Sequence, residues 1–550
     1  MVRCMRLGRV ITVTGRALST AAARQQRALA AETADQDHIT RKTFAEVQAE
    51  RSEQAKRSVL IGCSPKINEE KFLKHLSRHG EVANHFFFDS LGTHALVEFA
   101  NTESILSLLA ATKIPDDDSW VLPFKSRFTK LRSQELGQQS VICASQSPPG
   151  ASELLQKLCA AESMEDQAHI LLEELQLTDE SIRLRYLTSS LVSDVATAYF
   201  PEASVLLYGS SVNSFGKMGC DLDLFLNLDN IKGHTSKRAA GPFVTEFWMR
   251  RVSSSRAAQQ QILSVISECI DSFGPGCTQV LKILGARCPL VRFYHQPTGL
   301  QCDLTADNKI ALRMSELLYI YGNIDSRVRP LVFTLRCWAR VHGITSSVSG
   351  HWITNFALTT MILFFLQKRS PPVIPTLDQL KSLTGKKDKC IIEDNDCTFV
   401  SDLNKIKPSA NTESLEMLLI EFLEFYGNFD FCKNCIDIRK GVEKNKPDSS
   451  PLYIQNPFEQ SLNISKNVNK SQMEKFVHLV QESAWTLQKQ ASLSPLNDLK
   501  PWGLARILLS VASGNKSPSK KRPSERLGSL LDSLQASNSK PQTIKRKPVH

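Results

Sequence analysis

Residues 207–228 read LYGSSVNSFGKMGCDLDLFLNL, from Leu207 to Leu228. An apolar run ends at Gly209 and Ser210, a polar loop follows, and Asp221, Leu222, Asp223, Leu224, Phe225 and Leu226 resume it. Alternation on a strand puts the Asp221 and Asp223 carboxylates on one face and the three leucines on the other. Like charges this close repel, and burying either without a partner is costly. A hard divalent cation relieves both, because it takes carboxylate oxygens. An edge strand with a wet acidic face is the plain alternative for a bare Asp-x-Asp. Gly209 and Ser210 weigh against it. The glycine lets the backbone turn close to a ligand, and the serine offers a hydroxyl and backbone amides to phosphate oxygens. Phosphate at one end of a loop and carboxylates at the other describe a nucleotide–metal site.

The stretch resembles the nucleotidyltransferase signature of the DNA polymerase beta superfamily: an apolar run, Gly-Ser, a loop, then Asp-apolar-Asp-apolar. Members of that superfamily need a third carboxylate on a neighbouring strand. Asp303 supplies it, in the short apolar run after the turn at 296–299. The resemblance implies that Asp221, Asp223 and Asp303 are catalytic and hold two divalent ions, Mg²⁺ or Mn²⁺, ~3.5–4 Å apart. Asp303 would bind the ion near the primer and help accept the proton of an RNA 3′-hydroxyl. Gly209, Ser210, Gly219 and Cys220 would border the nucleotide.

Helical patterning over 326–342 puts Arg336 and Arg340 one turn apart on one face. Such a pair is commonly a solvated basic stripe. Here the segment is similar to the helix on which RNA nucleotidyltransferases place two lysines against the triphosphate, with forked donors replacing point charges. Asn355 and Phe356 stand where the family has a hydroxyl residue and a base-stacking tyrosine. Residues 412–441 resemble the poly(A)-polymerase-associated segment: a helix, an aromatic corner and a strand. Ile454 to Lys466, IQNPFEQSLNISK, is similar to the nucleotide recognition motif of the non-conventional poly(A) and poly(U) polymerases. That likeness places Glu459 and Asn463 at the nucleotide, although Asn456 and Lys466 depart from the motif. Leu462 stands where uridylyl-adding relatives often carry histidine, which favours ATP over UTP. Met314 replaces the asparagine that holds the ribose 2′-hydroxyl in some relatives.

The chain has 550 residues, enough for more than one domain, with 42% hydrophobic and 22% charged content, in the range of a soluble globular protein. Its net charge of +11 is carried by the ends: +6 over residues 1–31 and +7 over 514–550, leaving the body at −2. Any RNA-binding surface on the body must come from local clustering. The leader is rich in Arg, Ala, Ser and Thr and free of acid until Glu32, the composition of a mitochondrial transit peptide and so of a matrix protein. No stretch is long and apolar enough to insert in a membrane. The 14 cysteines lack regular close spacing. Cys390, Cys397, Cys432 and Cys435 make a weak zinc set, and buried free thiols fit them better.

Residues 56–127 read as β-α-β-β-α-β, an order that resembles an RNA recognition motif. Base-stacking aromatics belong on the first and third strands of that fold. Leu60, His94 and Leu96 stand there instead, and only Phe99 matches. Phe86, Phe87 and Phe88 on the second strand point to subunit association, hence a homodimer through 56–127.

The expected architecture is α+β: a nucleotidyltransferase palm (mixed sheet with helices) and a mostly helical poly(A)-polymerase-associated domain, preceded by the RNA-recognition-motif-like domain. The expected boundaries are a transit peptide at 1–40, the small domain at 56–127 and a linker at 128–152. The palm occupies 200–307, the helical domain 153–199 and 308–512, and a basic disordered tail 513–550. Taken with the family likeness, which covers about residues 165–510, the expected activity is template-independent transfer of AMP from ATP to RNA 3′ ends. A terminal uridylyltransferase and a catalytically silent RNA-binding scaffold are the alternatives. The intact aspartate triad argues against the scaffold.

Overall fold

The computed structural model describes residues 41–112, 125–131, 141–201, 203–228, 254–306, 308–346, 348, 350–491 and 501–509. The expected transit peptide and basic tail lie outside them, as do residues 229–253.

In the small domain, α1 (Phe44–Lys56) leads to β1 (Ser58–Gly62), α2 (Glu69–Leu76), β2 (Val82–Ser90), β3 (Gly92–Phe99) and α3 (Thr102–Ala111), the expected order. The strand expected over 119–124 lies outside the described residues. β4 (Phe128–Lys130) pairs parallel with β1, and β5 (Cys143–Ala144) pairs parallel with β2 at the opposite edge. Three helices follow: α4 (Ala151–Ala160), α5 (Met164–Leu175) and α6 (Asp179–Tyr199).

Helix α6 corrects the reading of the aromatic strand. One face of the small sheet packs Val59, Ile61, Phe87, Val97 and Phe99 against Phe72, Leu76 and Ile105 of its own helices. The other face, Leu60, Phe88 and Leu96, closes on Leu184, Leu187 and Leu191 of α6. Phe88 is 0% exposed and Phe87 3%. Pleating sends neighbouring phenylalanines to opposite faces, and each face finds its cover within the same chain. Full burial stabilises by ~1.5–3 kcal/mol for each large apolar side chain. These rings therefore offer no patch to a second subunit.

The palm sheet contains β6 (Ser204–Tyr208), β7 (Leu222–Asn227), β8 (Cys277–Ile283), β9 (Leu290–His295) and β10 (Leu300–Ala306), in the order β6-β7-β10-β9-β8. Only the central β7–β10 pair is parallel. Leu222, Leu224 and Leu226 are buried with Val192, Val195 and Ala196 of α6 and Leu263, Ile266 and Ile270 of α7 (Ser255–Phe273). Both helices thus cover the face opposite the aspartates. Thr178 starts α6 by accepting a hydrogen bond from the Ser181 amide, with Asp179 and Glu180 in the first turn.

The largest core joins α8 (Lys309–Ile324), α9 (Val328–Val341), α10 (Asn355–Lys368), α11 (Leu415–Gly427), α12 (Lys470–Ala491) and α13 (Gly503–Leu509). α4 and α5 belong to it, whereas α6 packs on the palm. The expected grouping of 153–199 with the helical domain therefore splits before α6. No described helix is long and apolar enough to cross a membrane.

Candidate active site

Four side chains form one row across the open face of the palm sheet. Tyr208 is in register with Asp223, Asp223 with Asp303, and Asp303 with Arg292. Asp221 precedes β7 at the rim of the row. Burial, then repulsion from Asp303 and Asp221, raises the Asp223 carboxyl to about 7. Loss of solvent and the charge of Asp303 raise Asp221 as well. Asp303 gives both carboxylate oxygens to Arg292, whose Nε and Nη2 donate at 2.7 and 2.6 Å.

The loop before Asp221 is braced from behind. Arg185 of α6, 1% exposed, donates to Ser211 Oγ (2.9 Å) and to the carbonyls of Cys220 (2.6 Å) and Asp221 (3.1 Å). Gly209 has φ +68°, and a Cβ there would lie 2.3 Å from Asp223 Oδ2, so glycine alone fits beside the carboxylate. The Gly209 amide donates to Ser315 Oγ of α8 at 2.7 Å. Ser315 thus ties the glycine turn to the helical domain.

Opposite the row, a cleft of about 560 Å³ separates palm from helices. Gly209, Ser210, Gly219, Cys220 and Asp223 line its palm side, and Arg336, Arg340, Asn355, Phe356 and Glu459 its helical side. Arg336 is braced by Thr359 Oγ1 (2.9 Å from Nε) and the Phe215 carbonyl (2.7 Å from Nη1). Burial pulls its pKa down to about 10. Phe356 reaches the cleft from the first turn of α10. Glu459 meets Arg287 of the palm in a 3.0 Å ion pair across the mouth. Met314 lines the cleft as well.

Asn463 is a correction: it is not a cleft residue. Its Oδ1 accepts from the amides of Ile454 (3.1 Å) and Ser465 (2.9 Å), and its Nδ2 donates to the Leu452 carbonyl (3.0 Å). A buried amide with these partners holds a turn. Asn456, seven residues earlier, lines the cleft in its place. Sequence reading missed Arg185, Arg292 and Ser315. For Arg292 a signal existed, since it alternates with buried Val291 and Phe293 on the strand beside Asp303. Arg185 had none, because its partners lie 26 to 36 residues away.

The aspartates match divalent cations in donor type, and a cation would relieve the repulsion that raises Asp223. In the present arrangement Arg292 occupies both Asp303 oxygens. Among the described residues no group of three His, Cys, Asp or Glu side chains is gathered closely enough to hold a metal ion.

Comparison with known proteins decides the family. Residues 164–323 match the model for the central palm domain of mitochondrial-like poly(A) RNA polymerase, 43–113 the RL domain, and 414–462 the Cid1 family poly A polymerase segment. The chain is 56% identical to Homo sapiens "Poly(A) RNA polymerase, mitochondrial", over 92% of this chain and 88% of the relative. The Mus musculus protein of that name is 54% identical, over 97% and 93%. This chain belongs to the mitochondrial poly(A) RNA polymerase family. A crystal structure of mtPAP in complex with ATPgammaS superposes with a TM-score of 0.79 at 57% identity, covering 85% of this chain and 99% of that one. In this member of the mitochondrial poly(A) RNA polymerase family, the small domain that reads as an RNA-recognition motif carries the match to the RL domain.

Proposed function

We propose that this cleft transfers AMP from ATP to the 3′-hydroxyl of RNA, releasing pyrophosphate. The observation that carries the reading is that Asp223, within the aspartate row, faces Arg336 and Arg340 across one nucleotide-sized cleft. Family membership and the mtPAP complex with an ATP analogue support it.

Asp221, Asp223 and Asp303 would hold two divalent cations, Mg²⁺ or Mn²⁺, which would supply Lewis-acid activation of the RNA hydroxyl and neutralise charge on the phosphates. Asp303, released from Arg292, accepts the hydroxyl proton. Arg185 and Ser315 fix the loop backbone so that Gly209, Ser210, Gly219 and Cys220 border the phosphates. Arg336 and Arg340 stabilise the charge that gathers on pyrophosphate as it leaves, which is electrostatic catalysis by groups already in place. Phe356 stacks on the base, with Asn355 and Glu459 beside it.

Relatives named mitochondrial, together with the arginine-rich leader, support a mitochondrial location in the matrix. Association of two copies through 56–127 no longer has an aromatic rationale. It rests on the exposed Leu91 and Leu106, and the mass in solution by light scattering tests it. For the activity, purified protein is incubated with an RNA oligonucleotide, Mg²⁺ or Mn²⁺, and each labelled nucleoside triphosphate in turn. Extension by ATP above the other three is expected. Equal or greater extension by UTP overturns the assignment.

A further inference from the structure

Lys217 has no role in the reading above. It lies in the loop between Ser210 and Asp221, and it lines the same cleft as Arg336 and Arg340. The loop on either side is stitched to the end of α5. Met218 N donates to the Leu175 carbonyl (2.8 Å), Leu177 N to the Gly216 carbonyl (3.2 Å), and Lys217 itself bridges to Gln176. The backbone at Lys217 is therefore held in place beside the cleft. After burial, the groups that weigh most on the lysine charge are Arg340, Cys220, Cys337 and Arg336. Burial and then Arg340 draw the lysine pKa down, the direction expected of a cation pressed against cations.

Three positive side chains on one half-buried wall carry a mutual repulsion. A polyanion between them reverses its sign. We infer that Lys217 binds the two phosphates that leave as pyrophosphate, making a three-cation cradle with Arg336 and Arg340. The inference rests on the cleft being the ATP site. The arginines offer fixed forks, whereas the lysine is a point charge on a flexible stem that can follow the departing phosphates.

Binding of inorganic pyrophosphate and of adenosine is measured by calorimetry in EDTA, alongside thermal unfolding, for wild type, Lys217→Met, Lys217→Arg and Arg340→Gln. Lys217→Met is expected to weaken pyrophosphate roughly tenfold, the loss of one charge-assisted contact. Adenosine affinity should stay unchanged and Lys217→Arg should restore most of the loss. With like-charge repulsion relieved, Lys217→Met should unfold at the same or a higher temperature. A lowered unfolding temperature with both ligands weakened marks a structural lysine and overturns the inference. If Arg340→Gln loses pyrophosphate affinity and Lys217→Met does not, the ATP site stands and the role of Lys217 falls. If neither variant changes, both fall together.

Discussion

Arg292 and Asp303 face each other in the β9–β10 register and share two hydrogen bonds, at 2.7 and 2.6 Å. The third aspartate of the site is thus already neutralised by a residue of its own sheet. A cation arriving at Asp303 competes with a guanidinium and does not meet a bare charge.

Arg292→Gln removes that neutralisation. Because Arg292 is 40% exposed at its side chain, the pair is discounted for solvent, and the expected loss of stability is ~1–2 kcal/mol. Mg²⁺ should then raise the melting temperature of the variant more than that of wild type, since the cation takes over the role of arginine. Thermal unfolding with and without Mg²⁺ checks this; equal shifts in the two proteins refute it.

Asp223 carries the pH signature of the site. Burial, Asp303 and Asp221 raise its folded-state pKa to about 7, well above that of an ordinary aspartate. The folded chain keeps a proton that the unfolded chain has released, so this contribution to stability is present below about pH 4 and lost as pH rises through about 7. Asp223→Asn should abolish AMP addition while unfolding at higher urea than wild type near pH 8 in EDTA. The gap should be on the order of a few kcal/mol at most and should narrow near pH 5. A variant less stable than wild type at both pH values would contradict the assignment.

Gly209→Ala places a methyl group 2.3 Å from Asp223 Oδ2 in a backbone conformation unfavourable to L-residues. Either the loop or the carboxylate must move. The expected result is a fall in kcat of roughly a hundredfold, the scale of a misplaced catalytic group, with little change in RNA affinity. Steady-state kinetics and an RNA gel-shift separate the two.

Phe88→Ala tests the seat of the small domain. The ring is fully buried between the sheet and Leu184, Leu187 and Leu191, so truncation should cost ~3–5 kcal/mol. Light scattering on the same variant should show an unchanged mass, because the ring is covered by its own chain. A halved mass would return Phe88 to a subunit interface.

Much of this molecule was legible in its sequence because the decisive signals are local. Strand alternation placed Asp221 and Asp223 opposite three leucines, and the apolar run that became β10 placed Asp303. One helical turn set Arg336 and Arg340 on the same wall. What failed was non-local. The cover for Phe88 sits on a helix about a hundred residues downstream, and the partners of Arg185 lie in a loop that the sequence does not link to it. Asn463 matched a motif position, yet its amide is buried under the carbonyls and amides of its own turn. The polar groups around a side chain, not its alignment, decide whether it reaches a ligand.

Helix α6 lies between two structures that sequence alone would separate. Leu184, Leu187 and Leu191 bear the RL domain, while Arg185, on an adjacent position of the same turn, grips the backbone at Cys220 and Asp221. The helix is in effect an axle with the small domain on one side and the catalytic loop on the other. A lesion at the RL–α6 seam would therefore present as a slow enzyme with intact RNA binding, a defect easily mistaken for damage to the aspartates themselves.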